Sequence, residues 1–133
     1  MAQSIFPALR YRDAQAAIAW LEHAFGFRPL AVHAGADGSV AHAELALDGG
    51  VIMLGSTKPD AYGARSPHEI GEVSQSLYVW VAEVDAHHAR AAAAGADVFR
   101  PPENTPYGSR EYSCRDPEGH VWSFGNYRPE TSA

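Results

Sequence analysis

One plan occurs twice along this chain. An apolar strand-like run, Ile5 to Tyr11, leads through Asp13 and an alanine-rich stretch to Gly26, and a second, Leu77 to Val84, leads through Asp85 and another alanine-rich stretch to Gly95. The two aspartates stand just over half the chain apart. Half of 133 residues buries too little surface to be stable alone, so two such modules are expected to complete each other. A seam between paired modules is a natural place for a cavity.

Composition narrows what that cavity serves. At 46% hydrophobic and 20% charged residues the chain is an ordinary globular one, and its length suits one compact domain. No apolar run approaches the roughly 20 residues that cross a bilayer. The start, Met-Ala-Gln-Ser-Ile-Phe, lacks the charged and apolar regions of a secretion signal. The single cysteine, Cys114, rules out an internal disulfide and fits a reducing compartment, so a cytoplasmic protein is expected. A net charge of -6 without a basic cluster argues against nucleic acid and favours cationic small molecules.

Spacing places the elements. Asp13 is an N-cap candidate, and Ala14, Ala17, Ile18, Leu21 and Phe25 form one apolar helix face that Gly26 ends. Phe27 to His33 and Val40 to Leu47 read as strands joined through Asp37-Gly38, a strong hairpin signal that sets His33 opposite His42. Asp48-Gly49-Gly50 makes the next turn and Val51 to Leu54 a fourth strand. The stretch 58–73, rich in Pro, Gly and charge, reads as a linker. The second module then has a strand over Ser76 to Val84, a helix capped by Asp85 and ended by Gly95, and a strand over Asp97 to Arg100. A loop through Pro101-Pro102 and a closing hairpin across Asp116-Pro117-Glu118-Gly119 complete it. Residues 1–57 and 74–128 are thus two β-α-β-β-β modules, with a loose tail from 129 to 133. His87 and His88, in the first helical turn, read as structural.

These residues resemble a known family. Asp-Pro-Glu-Gly-His-Val-Trp-Ser-Phe-Gly (116–125) resembles the closing hairpin of the glyoxalase/bleomycin-resistance/ring-cleaving dioxygenase superfamily, the vicinal oxygen chelate fold. Tyr11-Arg12-Asp13 to Ala24-Phe25-Gly26-Phe27 resembles its first helix, and Tyr107-Gly108-Ser109-Arg110-Glu111-Tyr112 a segment of its small glyoxalase-like members. The likeness spans about residues 4 to 128. It implies an α+β fold in which the curved mixed sheets of two modules form a cup-shaped cleft. It also implies a homodimer, often with modules exchanged between chains, whose cups enclose a ligand.

Metal-dependent members of that family place His, Glu or Gln on the first and fourth strands of each module. The corresponding positions here, transferred by distance from the capping aspartates and the closing turn, are Phe6, Met53, Ser76 and Ser123. None suits a hard or borderline divalent ion, and within two positions of them Gln75 alone offers a donor. No metal and no other cofactor is therefore expected. A trio of His33, His42 and Glu44 on one sheet face is a second conceivable metal site, weighed against a polar face with stacked or hydrogen-bonded imidazoles.

Strand alternation then says what the cup offers instead. The cup face carries Phe6, Ala8 and Arg10, then His42 and Glu44, Val51 and Met53, and in the second module Ser76, Tyr78, Trp80, Val121 and Ser123, with Trp122 and Phe124 on the helix side. Aromatic and Met side chains with a few polar groups suit a flat organic ligand. Tyr107 and Arg110, beside a Gly-Ser turn, form a candidate rim, Arg110 either meeting ligand or ordering the loop. Cys114, with no paired base, reads as a buried small residue.

The expected function is metal-independent binding of a small aromatic or cationic compound, in the manner of antibiotic-sequestering resistance proteins. The ligand-binding candidates are Phe6, Arg10, His42, Glu44, Met53, Tyr78, Trp80, Tyr107, Arg110 and Ser123. The alternative is a glyoxalase-like lyase, isomerase or dioxygenase, which needs a divalent metal as Lewis acid. A third reading is metal-free acid–base catalysis by His42 and Glu44.

Overall fold

A computed structural model describes residues 3–130. The chain divides into two compact units, 1–72 and 73–133. The three final residues of the expected loose tail, 131–133, lie outside the described residues.

The first unit holds β1 (Ala8–Tyr11), α1 (Ala14–Phe25), β2 (Arg28–Ala34), β3 (Val40–Leu47), β4 (Gly50–Ser56) and a short α2 (Pro67–Ile70). Its sheet has the order β1-β4-β3-β2, with β1 parallel to β4 and the other pairs antiparallel. The α1 helix starts where the Asp13 carboxylate accepts the Ala16 N–H at 3.1 Å, and stops at Gly26, whose φ of 88° is left-handed. Its buried face (Ala17, Ile18, Leu21, Phe25) packs on β1, β2 and β4. Leu9, Tyr11, Ala43, Leu45, Ile52 and Leu54 are the buried members of the alternating strands. Each large apolar side chain taken from water there contributes about 1.5–3 kcal/mol. The β2–β3 connection is a short 3-10 turn through Asp37 and Gly38, both with positive φ, rather than a two-residue hairpin; Ala34 pairs with Val40, and a bulge beside it brings His33 opposite His42. Residues of the expected linker are tied to this unit, Asp60 by Arg10 at 2.9 Å and Glu69 by the Thr57 hydroxyl at 2.7 Å.

The second unit repeats the plan with β5 (Ser76–Trp80), α3 (Val84–Ala93), β6 (Asp97–Asn104), β7 (Arg110–Arg115) and β8 (Val121–Gly125), in the order β5-β8-β7-β6. Three expectations need correction. The first strand of this unit does not reach Val84 but ends at Trp80, and Val84 opens α3. Glu83, not Asp85, is the N-cap of α3, and Asp85 lies in the first turn with its carboxylate committed to Arg110. The strand after α3 does not stop at Arg100 but runs through Pro101-Pro102 to Asn104. Register shifts on both sides of Arg100 absorb the prolines on this edge strand, where a missing N–H costs no ladder bond.

The closing turn sets the pairing of β7 with β8. Asp116 is buried, and its Oδ1 accepts the backbone N–H groups of Glu118 at 3.0 Å and His120 at 3.1 Å, while its Oδ2 accepts the Trp122 indole N–H at 3.0 Å. Trp122, Phe124 and Tyr112 stack beneath α3, with His87 Nδ1 2.6 Å from the Tyr112 hydroxyl. The residues that alternate with them face the other way. Asp116→Ala is expected to lower the unfolding free energy by about 3 kcal/mol, since three donors lose their acceptor, two of them buried. Urea denaturation followed by tryptophan fluorescence measures this.

Candidate functional site

The open face of the β5–β8 sheet carries a groove of about 540 Å³. Ser76 and Tyr78 from β5, Ser123 from β8 and Glu111 from β7 come to it by strand alternation, and Arg100 reaches in from β6. Tyr107 lines it from the loop before β7, and Tyr127 and Pro129 from the segment after β8.

A buried carboxylate organises this face. Glu111 is 5% exposed. The Tyr107 hydroxyl donates to it, lying 2.9 Å from Oε1 and 3.0 Å from Oε2, and Arg100 Nη2 donates at 3.1 Å. Arg100 Nε also donates to Glu103 at 2.7 Å. Beside them the Ser113 and Ser123 hydroxyls are 2.7 Å apart. The Tyr78 hydroxyl donates to the Tyr127 carbonyl at 2.5 Å, and the Tyr127 N–H donates to Ser109 Oγ at 3.1 Å. These two bonds hold the segment after β8 along the groove.

Gly125 makes the crowding possible. It lies across from Glu111, and a Cβ there would sit 2.5 Å from Glu111 Cγ and 2.8 Å from the Tyr78 hydroxyl. Any side chain would drive one of the two out of place.

Titration in the groove is pushed away from neutrality. Burial raises the Glu111 carboxyl, but the bonds from Tyr107, Ser109 and Arg100 outweigh it and hold the group below the usual carboxylate range. Burial, then the Glu111 charge, raises Tyr78. Tyr107 is raised first by its bond to Glu111 and then by burial. The bond to Glu103 raises Arg100 against the effect of burial. Cys114, on the helix side of β7, is pushed up to about 12 by burial and by the charges of Asp116 and Asp97, so it is an inert thiol.

The expected site residues are distributed as follows. Tyr78, Tyr107 and Ser123 meet in the groove, with Ser76. Trp80 lies next along β5, where the Arg128 guanidinium sits 4.1 Å over its ring. Arg110 turns to Asp85 in a two-pronged ion pair at 2.9 Å per contact and to Asn104 at 3.1 Å, which holds Asp85 below the usual range. In the first unit His42 Nε2 is 2.9 Å from Glu44, with both side chains about two-fifths exposed, and the His33 and His42 rings stack at 6.1 Å. Glu44 is the register neighbour of Met53, Phe6 is 42% exposed, and Arg10 reaches Asp60 and the face of Tyr62.

The fold family raises the question of a divalent metal. Phe6, Met53, Ser76 and Ser123, the positions expected from the family resemblance, supply a ring, a thioether and two hydroxyls, which is a poor donor set for such an ion. The carboxylate that lines the groove with Ser123, Glu111, is already bonded to Tyr107 and Arg100. Among the described residues no three His, Cys, Asp or Glu side chains converge in a way that could hold a metal, the His33, His42 and Glu44 trio included. The residues do not fit one.

Glu111 and Arg100 escaped the sequence reading, yet one signal pointed to the first. In both units a glycine of the fourth strand pairs with the first strand, Gly55 with Arg10 and Gly125 with Trp80. Continuing the β3–β4 register one step places His42 across from Gly55, as Glu111 is across from Gly125. The repeat therefore makes Glu111 the counterpart of His42, and Ser113 that of Glu44. Arg100 had no such signal, because bulges on β6 set its direction.

With this geometry in place the kinship is direct. The sequence pattern of the Glyoxalase/Bleomycin resistance protein/Dioxygenase superfamily matches residues 5–124. The chain belongs to that superfamily. It is 34% identical to TioX from Micromonospora sp. ML1, with a TM-score of 0.76, covering 98% of this chain and 100% of that one. An uncharacterised protein of Mycobacterium tuberculosis is 35% identical over 124 residues, 92% of this chain and 73% of the relative. The fosfomycin resistance protein FosX of Listeria monocytogenes, in a structure with Mn(II) and sulfate, shares the fold at a TM-score of 0.68. That match has 14% identity and covers 96% of this chain and 94% of that one.

Two outcomes check the groove. Gly125→Ala is expected to cost about 1–3 kcal/mol in stability through overpacking, and a crystal structure of the variant should show Glu111 or Tyr78 displaced. Because the folded-state pKa of Glu111 is depressed, its contribution to stability is fully present above the unfolded carboxylate value of about 4.3 and is lost as pH falls through the folded value. Glu111→Gln should therefore flatten the acid limb of a plot of stability against pH and leave its shape above neutrality unchanged.

Proposed function

We propose that the protein is a metal-independent binder of a small planar aromatic compound, which it sequesters without turnover. The observation that carries this reading is the state of the groove's chemistry. Three tyrosines offer π surface, while Tyr78, Arg100, Tyr107 and Glu111 are each hydrogen-bonded and shifted away from neutrality. A general acid or base works best with a pKa near the operating pH, and none of these four groups is placed so. The His42–Glu44 pair is half-exposed to water, which gives acid–base catalysis no enclosed site. What remains is shape, stacking and hydrogen bonding, the equipment of a carrier. A homodimer is part of the same proposal, to be read by sedimentation velocity.

Calorimetric titration with 2-naphthylmethanol as a neutral planar probe tests the reading. Binding is expected in the micromolar range, on the order of -8 kcal/mol, with Tyr78→Ala weakening it several-fold. Prior treatment with EDTA should leave the affinity unchanged. Stoichiometric metal in the purified protein by elemental analysis, with probe binding lost on chelation, would overturn the proposal in favour of a metal-dependent lyase, isomerase or dioxygenase.

A further inference from the structure

The charged cluster at the groove contains two carboxylates and one guanidinium. Arg100 is tied to Glu103 at 2.7 Å and to Glu111 at 3.1 Å, so the cluster is one positive charge short of neutrality. The two carboxylates differ in setting: the Glu103 side chain is 56% exposed and screened by water, whereas that of Glu111 is 7% exposed. What covers Glu111 beside the guanidinium is a pair of neutral donors, Ser109 and the exposed Tyr107. The Tyr107 hydroxyl has one proton, shared between oxygens 2.9 and 3.0 Å away, which leaves acceptor capacity on a carboxylate able to take about four bonds.

Tyr107 is built to leave. Its residue is 62% exposed, and its ring meets Tyr127 edge-on at 5.9 Å. The backbone that carries it is closed tightly, by Thr105 N–H to the Ser109 carbonyl at 2.7 Å and Ser109 N–H to Thr105 Oγ1 at 3.0 Å. The side chain can therefore swing while the loop stays in place, and a rotamer change of an exposed tyrosine is fast.

We infer that Glu111 is the anchor for a protonated nitrogen on the ligand, and that Tyr107 is a displaceable cover whose hydroxyl holds the carboxylate until the ligand's N–H replaces it. This rests on the groove being the binding site. The ligand class is a planar aromatic bearing a primary or secondary ammonium or an amidinium, since the exchange needs an N–H donor. The charge closes the cluster to neutrality, and the tyrosine faces favour a nearby cation. An anionic ligand would instead meet a guanidinium already held by two carboxylates.

Three probes of like shape separate the charge term from the aromatic term: 2-naphthylmethylammonium, 2-naphthylmethanol and 2-naphthoate, titrated calorimetrically at low salt and near neutral pH. The cation is expected to bind roughly tenfold or more tighter than the alcohol, as for a hydrogen bond to a charged group, with naphthoate weakest. In Glu111→Gln the ratio of cation to alcohol affinity should fall to about one. Tyr107→Phe keeps the ring and removes the competing hydroxyl, so cation affinity should rise several-fold. A ratio near one in the unaltered protein, a ratio unchanged in Glu111→Gln, weaker cation binding in Tyr107→Phe, or a preference for naphthoate would each overturn the inference. If the alcohol binds and the ratio is one, the groove stands as the site and only the anchor fails; if none of the probes binds, both fail together.

Discussion

The buried carboxylate of Asp116 is the fixed point of the second unit. Its oxygens take up two turn N–H groups and the Trp122 indole, so the turn and the first core residue of β8 are tied to one another. That tie sets which residue of β7 faces which residue of β8. A slip of one position would send Trp122 and Phe124 to the open face and Ser123 into the core. The groove follows from the register: Ser113 meets Ser123, and Glu111 meets the bare backbone of Gly125.

The two faces of that sheet carry different physics. Under α3 the stack of Trp122, Phe124 and Tyr112 is apolar, and the polar atoms that enter it find partners in Asp116 and His87. On the opposite face hydroxyls, a carboxylate and a guanidinium lie among tyrosine rings. Burial by itself raises the Glu111 carboxyl, because desolvation disfavours its charged form. The donors around it reverse the shift, and a group that could have become a catalyst stays an anion. The net charge of the whole chain agrees in sign with the local cluster, but the cluster's effect is the larger one. It acts within a few ångströms and partly out of water, whereas surface charges are screened over about 10 Å.

Much of this was legible from residue order. Asp13 and Gly26 bound α1 where the capping pattern puts them, His33 faces His42, although through a bulge rather than a two-residue turn, and Trp122 and Phe124 fall on the helix side. Tyr78, Tyr107 and Ser123 share one groove. Arg110 was harder: its fork fits a ligand carboxylate and the Asp85 side chain equally well, and only the fold brings Asp85 to it. Asp85 itself looked like a cap because a short polar residue before a helical stretch usually is one, yet its carboxylate is committed to Arg110 instead. The strand through Pro101-Pro102 ran against the usual meaning of two prolines, which holds for central strands and lapses on an edge.

What the amino-acid order determines by itself is periodicity and chemistry. It sets two repeats of strand, helix and three strands and, where the backbone is regular, the face on which a side chain stands. These are local or additive properties, readable from neighbours a few positions apart. The tertiary structure alone decided partnership: that Arg100 leans through a bulged edge to Glu111, that Tyr107 folds back over the same carboxylate, and that Gly125 leaves room for both Glu111 and Tyr78. Such choices depend on irregular backbone and on distances between elements far apart in the chain, and no spacing rule encodes either.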